Sequence, residues 1–449
     1  MSQTRCAGST CASRWVCSKD GGYRRHPHEH CSRVPSCSGP VASPCRGGGR
    51  HEQFEERRRR FGLPEEPSRV IRPAHVCLLT SSHPVTYSRF LNRQAVSLAR
   101  AGYRVTLIGL GGVKSDSGSS CGVELVPLAE RRLVSKLSVL RDITRTLCIV
   151  KPHVCGCLDP WTLSVGLAFS RSRPEVSVVY DASEWFSRAF LERRDLPLPI
   201  RAAGYFAIES IEYQASRHAD AILDTNATRA ERFLRRGCDV TLVPNFPPLE
   251  LLPPPVVNRA KEVVFTGLAS RHRGFDLLLA ALARVSHCVA GVRLSVMGEF
   301  DPRDDMRTGC EEFVRNHGLG DSVSLHGWVP YGEMLRRAAS GIVGVILLQP
   351  HRRNDYTGLP NKLFEFMGCG LAVVAADTPE MRHVVTKVGC GWLVDPTNPD
   401  AIARVLVEAL SDPDECIRRG LAGRAAVFDR YNWGVAEVDF LRCYRRLLE

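Results

Sequence analysis

The sequence predicts an α/β protein made of two doubly wound halves facing a central cleft. Three observations carry this expectation. Short apolar runs alternate with helical stretches, a proline-dense break falls past the middle of the 449 residues, and glycines or charged residues follow many of the runs directly. Short, wholly apolar runs suit strands buried on both faces of a parallel sheet, and the intervening helices would cover those faces. A chain of this length exceeds one ordinary core, so two domains plus additional segments are expected.

In order along the chain, strands are expected at residues 76–79, 105–108, 123–126, 154–157, 176–180 and 221–223. A helical pattern runs through Phe90, Leu91, Val96 and Leu98 until Gly102 breaks it, and a long helix fills 203–217. Residues 244–255 hold six prolines in twelve positions, which forbids an interior helix or strand and reads as a stiff linker. A second strand series follows at 263–266, 292–297, 323–325, 344–348 and 371–375, and the stretch 399–448 is helical with no strand inside it. The domain limits implied are an extension at 1–73, a first α/β half at 74–247, a linker at 248–261, a second half at 262–425, and a terminal helix at 426–449 crossing back to the first half. Ligands in such sheets sit beyond the carboxyl ends of the strands.

The charge is uneven. Residues 1–73 carry 14 Lys/Arg against 7 Asp/Glu, so this head holds +7 of the net +12. It is rich in Ser, Gly, Pro, Arg and Cys without hydrophobic periodicity, and is expected to be disordered because it cannot bury enough surface to offset ordering. It lacks the apolar segment of a secretory signal. The run Arg57–Arg60 follows Glu52, Glu55 and Glu56, which favours a solvated helical segment over a nucleic-acid contact, and no nucleic-acid partner is expected. No apolar run has the length of a bilayer span. The 18 cysteines show no disulfide framework; His26, His28, His30 and Cys31 lack the paired spacings of a structural zinc site, and a reducing cytoplasm fits best.

The most informative stretch is Gly358-Leu-Pro-Asn-Lys-Leu-Phe-Glu365-Phe-Met-Gly-Cys-Gly370 and the apolar run after it. Pro360 sets a first helical turn, while Gly368 and Gly370 end the helix. Asn361, Lys362 and Glu365 then share one face near a helix start, where unfilled N–H groups and the dipole favour a phosphate. Lysine beside a phosphate, with a carboxylate one turn deeper for sugar hydroxyls, makes a nucleotide-sugar grip; a solvated amphipathic helix is the plainer alternative. Gly267-Leu-Ala-Ser-Arg271-His-Arg273-Gly274 follows the first strand of the second half, with arginines able to hold phosphate oxygens. Gly298 ends the next strand, and Trp328 and Val329 end the third, where the indole serves as a base wall or as packing. In the first half, Ser82, His83 and Arg89 follow the first strand, Asp159 the fourth, and Asp181 and Glu184 the fifth. Asp159 and Asp181 either converge on the cleft or cap the next helices; Glu184 lies beyond the capping position.

Together these residues resemble the family 4 retaining glycosyltransferases, of GT-B fold, in a branch similar to bacterial surface-polysaccharide glycosyltransferases. The resemblance spans about 74 to 449 and is strongest over 326–396, through His326-Gly-Trp-Val-Pro330, Leu359-Pro-Asn-Lys-Leu-Phe-Glu365, Gly370-Leu-Ala-Val-Val-Ala and Gly389-Cys-Gly-Trp-Leu-Val-Asp-Pro396. It implies transfer of a sugar from a UDP- or GDP-sugar to a glycan or lipid-linked acceptor, with retention and without a metal, in the cytoplasm or at the inner membrane face. Arg273, Arg271 and Lys362 would hold the diphosphate, with Gly267, Gly298, Trp328, Val329, Leu359 and Asn361 around the donor and Glu365 on its ribose. Glu184 and Asp159 would lie near the acceptor or the reacting sugar, and Ser82, His83, Arg89 and Asp181 on the acceptor side. Three departures stand out: Thr357 occupies the place of a first glutamate, and Leu158 and Ser183 replace two histidines expected around the transferred sugar. They leave open a second reading, a GT-B nucleotide-binding scaffold without turnover that partners another transferase.

Overall fold

The structure is a computed structural model of the chain, and it describes residues 73–111, 122–129, 136–193, 196–256, 259–302, 304–350 and 358–449. The extension, with Arg57–Arg60 and the histidine cluster, and Thr357 lie outside the described residues. Residues 71–449 group into one compact unit.

Two parallel sheets organise that unit. The first holds β1 (His75–Pro84), β2 (Arg104–Leu110), β3 (Val123–Leu128), β4 (Val154–Cys157), β5 (Ser177–Asp181), β6 (Ala221–Asp224) and β7 (Val240–Leu242), in spatial order β3-β2-β1-β4-β5-β6-β7. The second holds β8 (Glu262–Thr266), β9 (Arg293–Met297), β10 (Val323–Leu325), β11 (Val343–Ile346), β12 (Ala372–Ala376) and β13 (Gly391–Val394), in order β10-β9-β8-β11-β12-β13. Both orders reverse direction beside their first strand, between β1 and β4 and between β8 and β11. That reversal opens a crevice at the carboxyl edge of each sheet. The chain is therefore a pair of doubly wound α/β halves, as its alternating pattern predicts.

Eleven strands stand where the apolar runs place them, within a few residues. The pattern misses β7 and β13, which are edge strands of three and four residues with half-exposed positions. An edge strand needs no unbroken apolar run, so its signal is weak. β1 continues past residue 79 to Pro84, where a register shift lets Pro84 pair with Leu110. That extension carries Ser81, Ser82 and His83 over the end of the sheet.

Each sheet is packed on both faces, giving two core clusters per half. The proline-rich segment is itself packed. Phe246 sits edge-on to Phe364 at 4.7 Å, and Leu252 fills the space above Gly368. The last helix, Trp433–Arg446, starts at Asn432, whose side chain accepts from the Val435 N–H. Trp433, Phe440 and Tyr444 are buried in the core of the first half, and the Trp433 indole donates to Ser97 Oγ at 2.8 Å.

Candidate active site

A cavity of about 560 Å³ opens at the carboxyl edges of both sheets and is lined from both halves. This is the size of a small-ligand site.

The second-half wall begins at the end of β8. Gly267 has φ +83°, and a Cβ there would lie 2.5 Å from Arg273 Nη1 and 3.3 Å from Lys362 Cε. Only glycine gives the backbone that turn without displacing both cations. Gly298 backs it from the next strand, where any Cβ would run into the Gly267 carbonyl. Lys362 Nζ lies 4.5 Å above the Phe265 ring, which fixes the ammonium at the rim. The helix Asn361–Gly368 starts at Pro360, which offers no side chain to cap the first turn, and Pro360, Asn361, Lys362 and Glu365 all line the cavity. Two cationic side chains and an uncapped helix N-terminus thus converge on one spot, an arrangement suited to a diphosphate. Thr266 Oγ1 and Asn245 Oδ1, also on the lining, are buried without a hydrogen-bond partner among the described residues.

Glu365 is nearly buried and holds its proton to higher pH than an ordinary carboxyl. Burial is the main cause, opposed by Arg93, Tyr331 and Lys362. Burial disfavours the charged form, so the carboxylate is complete only above this raised pKa. If ribose hydroxyls donate to it, nucleotide affinity rises with pH through that pKa and is lost as pH falls through it. The expected result is an acid limb in nucleotide binding that begins above the usual glutamate range and is absent in Glu365→Gln. Calorimetry across pH checks it, and an unchanged limb in the variant would assign the titration elsewhere.

The first-half wall differs from the sequence reading. Glu184 and Ser183 reach the cavity, as does Arg89. Glu184 is half-exposed, and His83 Nε2 stands 3.5 Å from it. His83 itself is stacked on Tyr87 at 4.5 Å and is not on the lining. Asp159 is also off the lining. Its carboxylate accepts from Ser81 N at 2.7 Å, Ser81 Oγ at 2.9 Å and Thr162 N at 2.9 Å, as the cap of the helix Pro160–Arg171. Asp181 is turned inward too, accepting from Arg89 Nε at 2.9 Å and Nη2 at 3.1 Å and from Gln94. Ser82 Oγ accepts from Lys136 at 3.0 Å, away from the cavity.

Three donor-side residues also stand apart. Arg271 is exposed and 3.7 Å from Asp276, Trp328 is exposed, and Val329 packs against the second-half core. Leu158 is wholly buried in the first-half core, so the position of a missing histidine is a packing position here. The cavity gains residues that the sequence reading lacked, among them Arg93, Asn226, Arg229, His272 and Tyr331. Arg93 lies four residues after Arg89, and two arginines at that spacing among apolar neighbours were the available signal.

The sequence profile described as "Glycosyl transferases group 1" matches residues 260–412, and that described as "Glycosyl transferase 4-like domain" matches residues 86–246. A D-inositol 3-phosphate glycosyltransferase of Xylanimonas cellulosilytica is 29% identical over 253 residues, 52% of this chain and 58% of that protein. A GDP-mannose-dependent alpha-(1-6)-phosphatidylinositol monomannoside mannosyltransferase of Mycobacterium tuberculosis is 26% identical over 176 residues, 38% of this chain and 44% of that protein. The chain thus spans about half the length of the curated relatives it matches. Among solved structures, Anabaena HepE in complex with UDP-glucose superposes with a TM-score of 0.63 at 14% identity, covering 83% of this chain and 99% of that one. Two profiles, one on each wall of the cavity, and a GT-B fold place the chain in the family 4 (group 1) glycosyltransferases.

Proposed function

We propose that the protein transfers a sugar from a nucleoside diphosphate sugar to a hydroxyl of a glycan or lipid-linked acceptor, with retention of anomeric configuration. The convergence of Gly267, Arg273, Lys362 and the uncapped helix start at Asn361 carries this reading. In the reaction the bond from the sugar C1 to the β-phosphate oxygen breaks, and a bond from C1 to the acceptor oxygen forms. The acceptor proton passes to the departing phosphate. Arg273 and Lys362 are aimed where charge develops on that phosphate, the kind of preorganised stabilisation that lowers such barriers most. Glu184, across the cavity, borders the reacting sugar, and Glu365 takes the ribose.

The donor is proposed to be a UDP- or GDP-sugar, handled in the cytoplasm without a resident metal. Calorimetry with UDP, GDP and their sugar conjugates, followed by transfer assays with NMR of the product anomer, tests this. Binding of one nucleotide and a product of retained configuration support it, and an inverted product overturns the stereochemical part. Turnover is expected to be unchanged by EDTA; a loss restored by a divalent cation would refute metal independence. The scaffold reading is favoured by Leu158 in the core and Ser183 on the wall, and nucleotide binding without transfer to any acceptor would select it.

The acceptor side is proposed to work against a lipid surface. Leu198, Ile200, Phe206 and Ile211 are exposed on the helix Leu198–Ser216, and its two acidic residues are turned away, Glu212 buried against Arg232 and Glu209 beside Arg236. The helix that carries this apolar, carboxylate-free face packs against the helix Phe186–Leu191, whose Ala189 lies on the cavity wall. Such a face suits an anionic bilayer interface. Wild-type protein is expected to float with phosphatidylcholine–phosphatidylglycerol vesicles, and Ile200→Ser/Phe206→Ser protein to remain below. Equal flotation of both, or a dimer in solution that the same variant breaks, would remove the lipid assignment.

A further inference from the structure

Arg93 joins three parts of the molecule that are remote in sequence. It belongs to the π-helical turn Arg89–Ala95 of the first half and is almost wholly buried. Its Nε donates to the Phe246 carbonyl of the connecting segment at 2.6 Å, and Nη1 donates to Ser88 Oγ at 2.7 Å. Nη2 donates to the Tyr331 hydroxyl of the second half at 3.0 Å and lies 3.8 Å from Glu365 Oε1. Arg89, one turn earlier, holds the same segment to the first half through Asp181 and the Val243 carbonyl at 3.3 Å.

The chemistry of these groups fixes the direction of the chain of hydrogen bonds. A guanidinium has no acceptor, so the Tyr331 oxygen must accept from Arg93. The phenolic proton is then available to Glu365, with which Tyr331 shares a hydrogen bond. Arg93, Tyr331 and Glu365 all border the cavity. A carboxylate has about four acceptor directions, and those not used by Tyr331 and Arg93 remain for a ligand.

We propose that Arg93 and Tyr331 are positioning residues that orient the Glu365 carboxylate toward the paired hydroxyls of a nucleoside. This rests on the reading that Glu365 takes the donor ribose. It makes a residue of the first half a determinant of how the second half selects a ribonucleotide. The network cannot be replaced by charge alone, because Lys at 93 offers no planar fork to span Phe246, Ser88 and Tyr331 together.

The test compares wild type, Tyr331→Phe, Arg93→Lys and Glu365→Gln, each checked for an intact thermal transition. The ligands are the nucleoside diphosphate that binds wild type, its 2′,3′-dideoxy analogue, and inorganic pyrophosphate. Wild type is expected to prefer the ribose form about tenfold or more. Tyr331→Phe should lose most of that preference, with about fivefold weaker ribonucleotide binding and unchanged pyrophosphate binding. In transfer assays its donor KM should rise while kcat moves less. Arg93→Lys should fall between wild type and Tyr331→Phe. If Glu365→Gln keeps the wild-type ribose preference, or if no nucleotide binds wild type, the ribose reading itself fails and this inference fails with it. If Glu365→Gln loses the preference while Tyr331→Phe retains it, the ribose reading stands and the positioning role is overturned.

Discussion

Lys362→Ala is expected to lower sugar transfer by roughly 10²- to 10³-fold, the scale on which removing one preorganised partner of a developing negative charge acts. The ammonium is held over the Phe265 ring and beside Gly267, near Arg273 Nη1. No other lysine lines the cavity among the described residues, so no nearby ammonium substitutes for it. Lys362→Arg should not restore activity, because the longer planar fork would collide with Arg273 in the space that Gly267 leaves open. Arg273→Ala should cost a similar factor, and the double variant less than the product of the two, since both would act on one diphosphate. Initial rates at saturating donor, with nucleotide affinity measured alongside, check this. Full activity in Lys362→Ala would remove the donor-site argument.

Asp181→Asn is expected to act on stability first. Its carboxylate and the Arg89 guanidinium are both about 2% exposed and are joined by two hydrogen bonds. Removing one charge of such a pair strands the other and typically costs about 3–5 kcal/mol. For a body of this size that corresponds to a fall in Tm of roughly 4–6 °C. Loss of acceptor binding would follow from the disturbed wall. A melting temperature equal to wild type with a raised acceptor KM would instead restore Asp181 to the acceptor side, where the sequence alone placed it.

The two aspartates show why one wall of the cavity was more legible than the other. Asn361, Lys362 and Glu365 act through a local rule, helical spacing at a helix start, and the structure brings all three to the cavity. The role of Asp159 is decided by Ser81, 78 residues earlier, and that of Asp181 by Arg89, 92 residues earlier. A carboxylate after a strand reads the same whether it faces a cleft or a buried arginine, since both need a polar partner that sequence does not locate. Arg93 is the same case from the other side. Its partner Tyr331 lies 238 residues later, so it passes for a solvated helix arginine until the halves are assembled. The central strands were legible because burial on both faces leaves an unbroken apolar run. The edge strands β7 and β13 escaped because they are only three and four residues long, with half-exposed positions.

The helix Trp433–Arg446 also bears on how the molecule is made. Trp433, Ala436, Phe440, Cys443 and Tyr444 complete the core around β1, β4 and β6, which were translated hundreds of codons before. Domains often fold in the order in which they leave the ribosome. Here the first half must wait, with part of its apolar interior uncovered, until the second half has been synthesised and the last helix emerges. A helix that follows the second half in the chain thus closes the core of the first, so a chain stalled or stopped before residue 433 would expose that interior to chaperones and proteases.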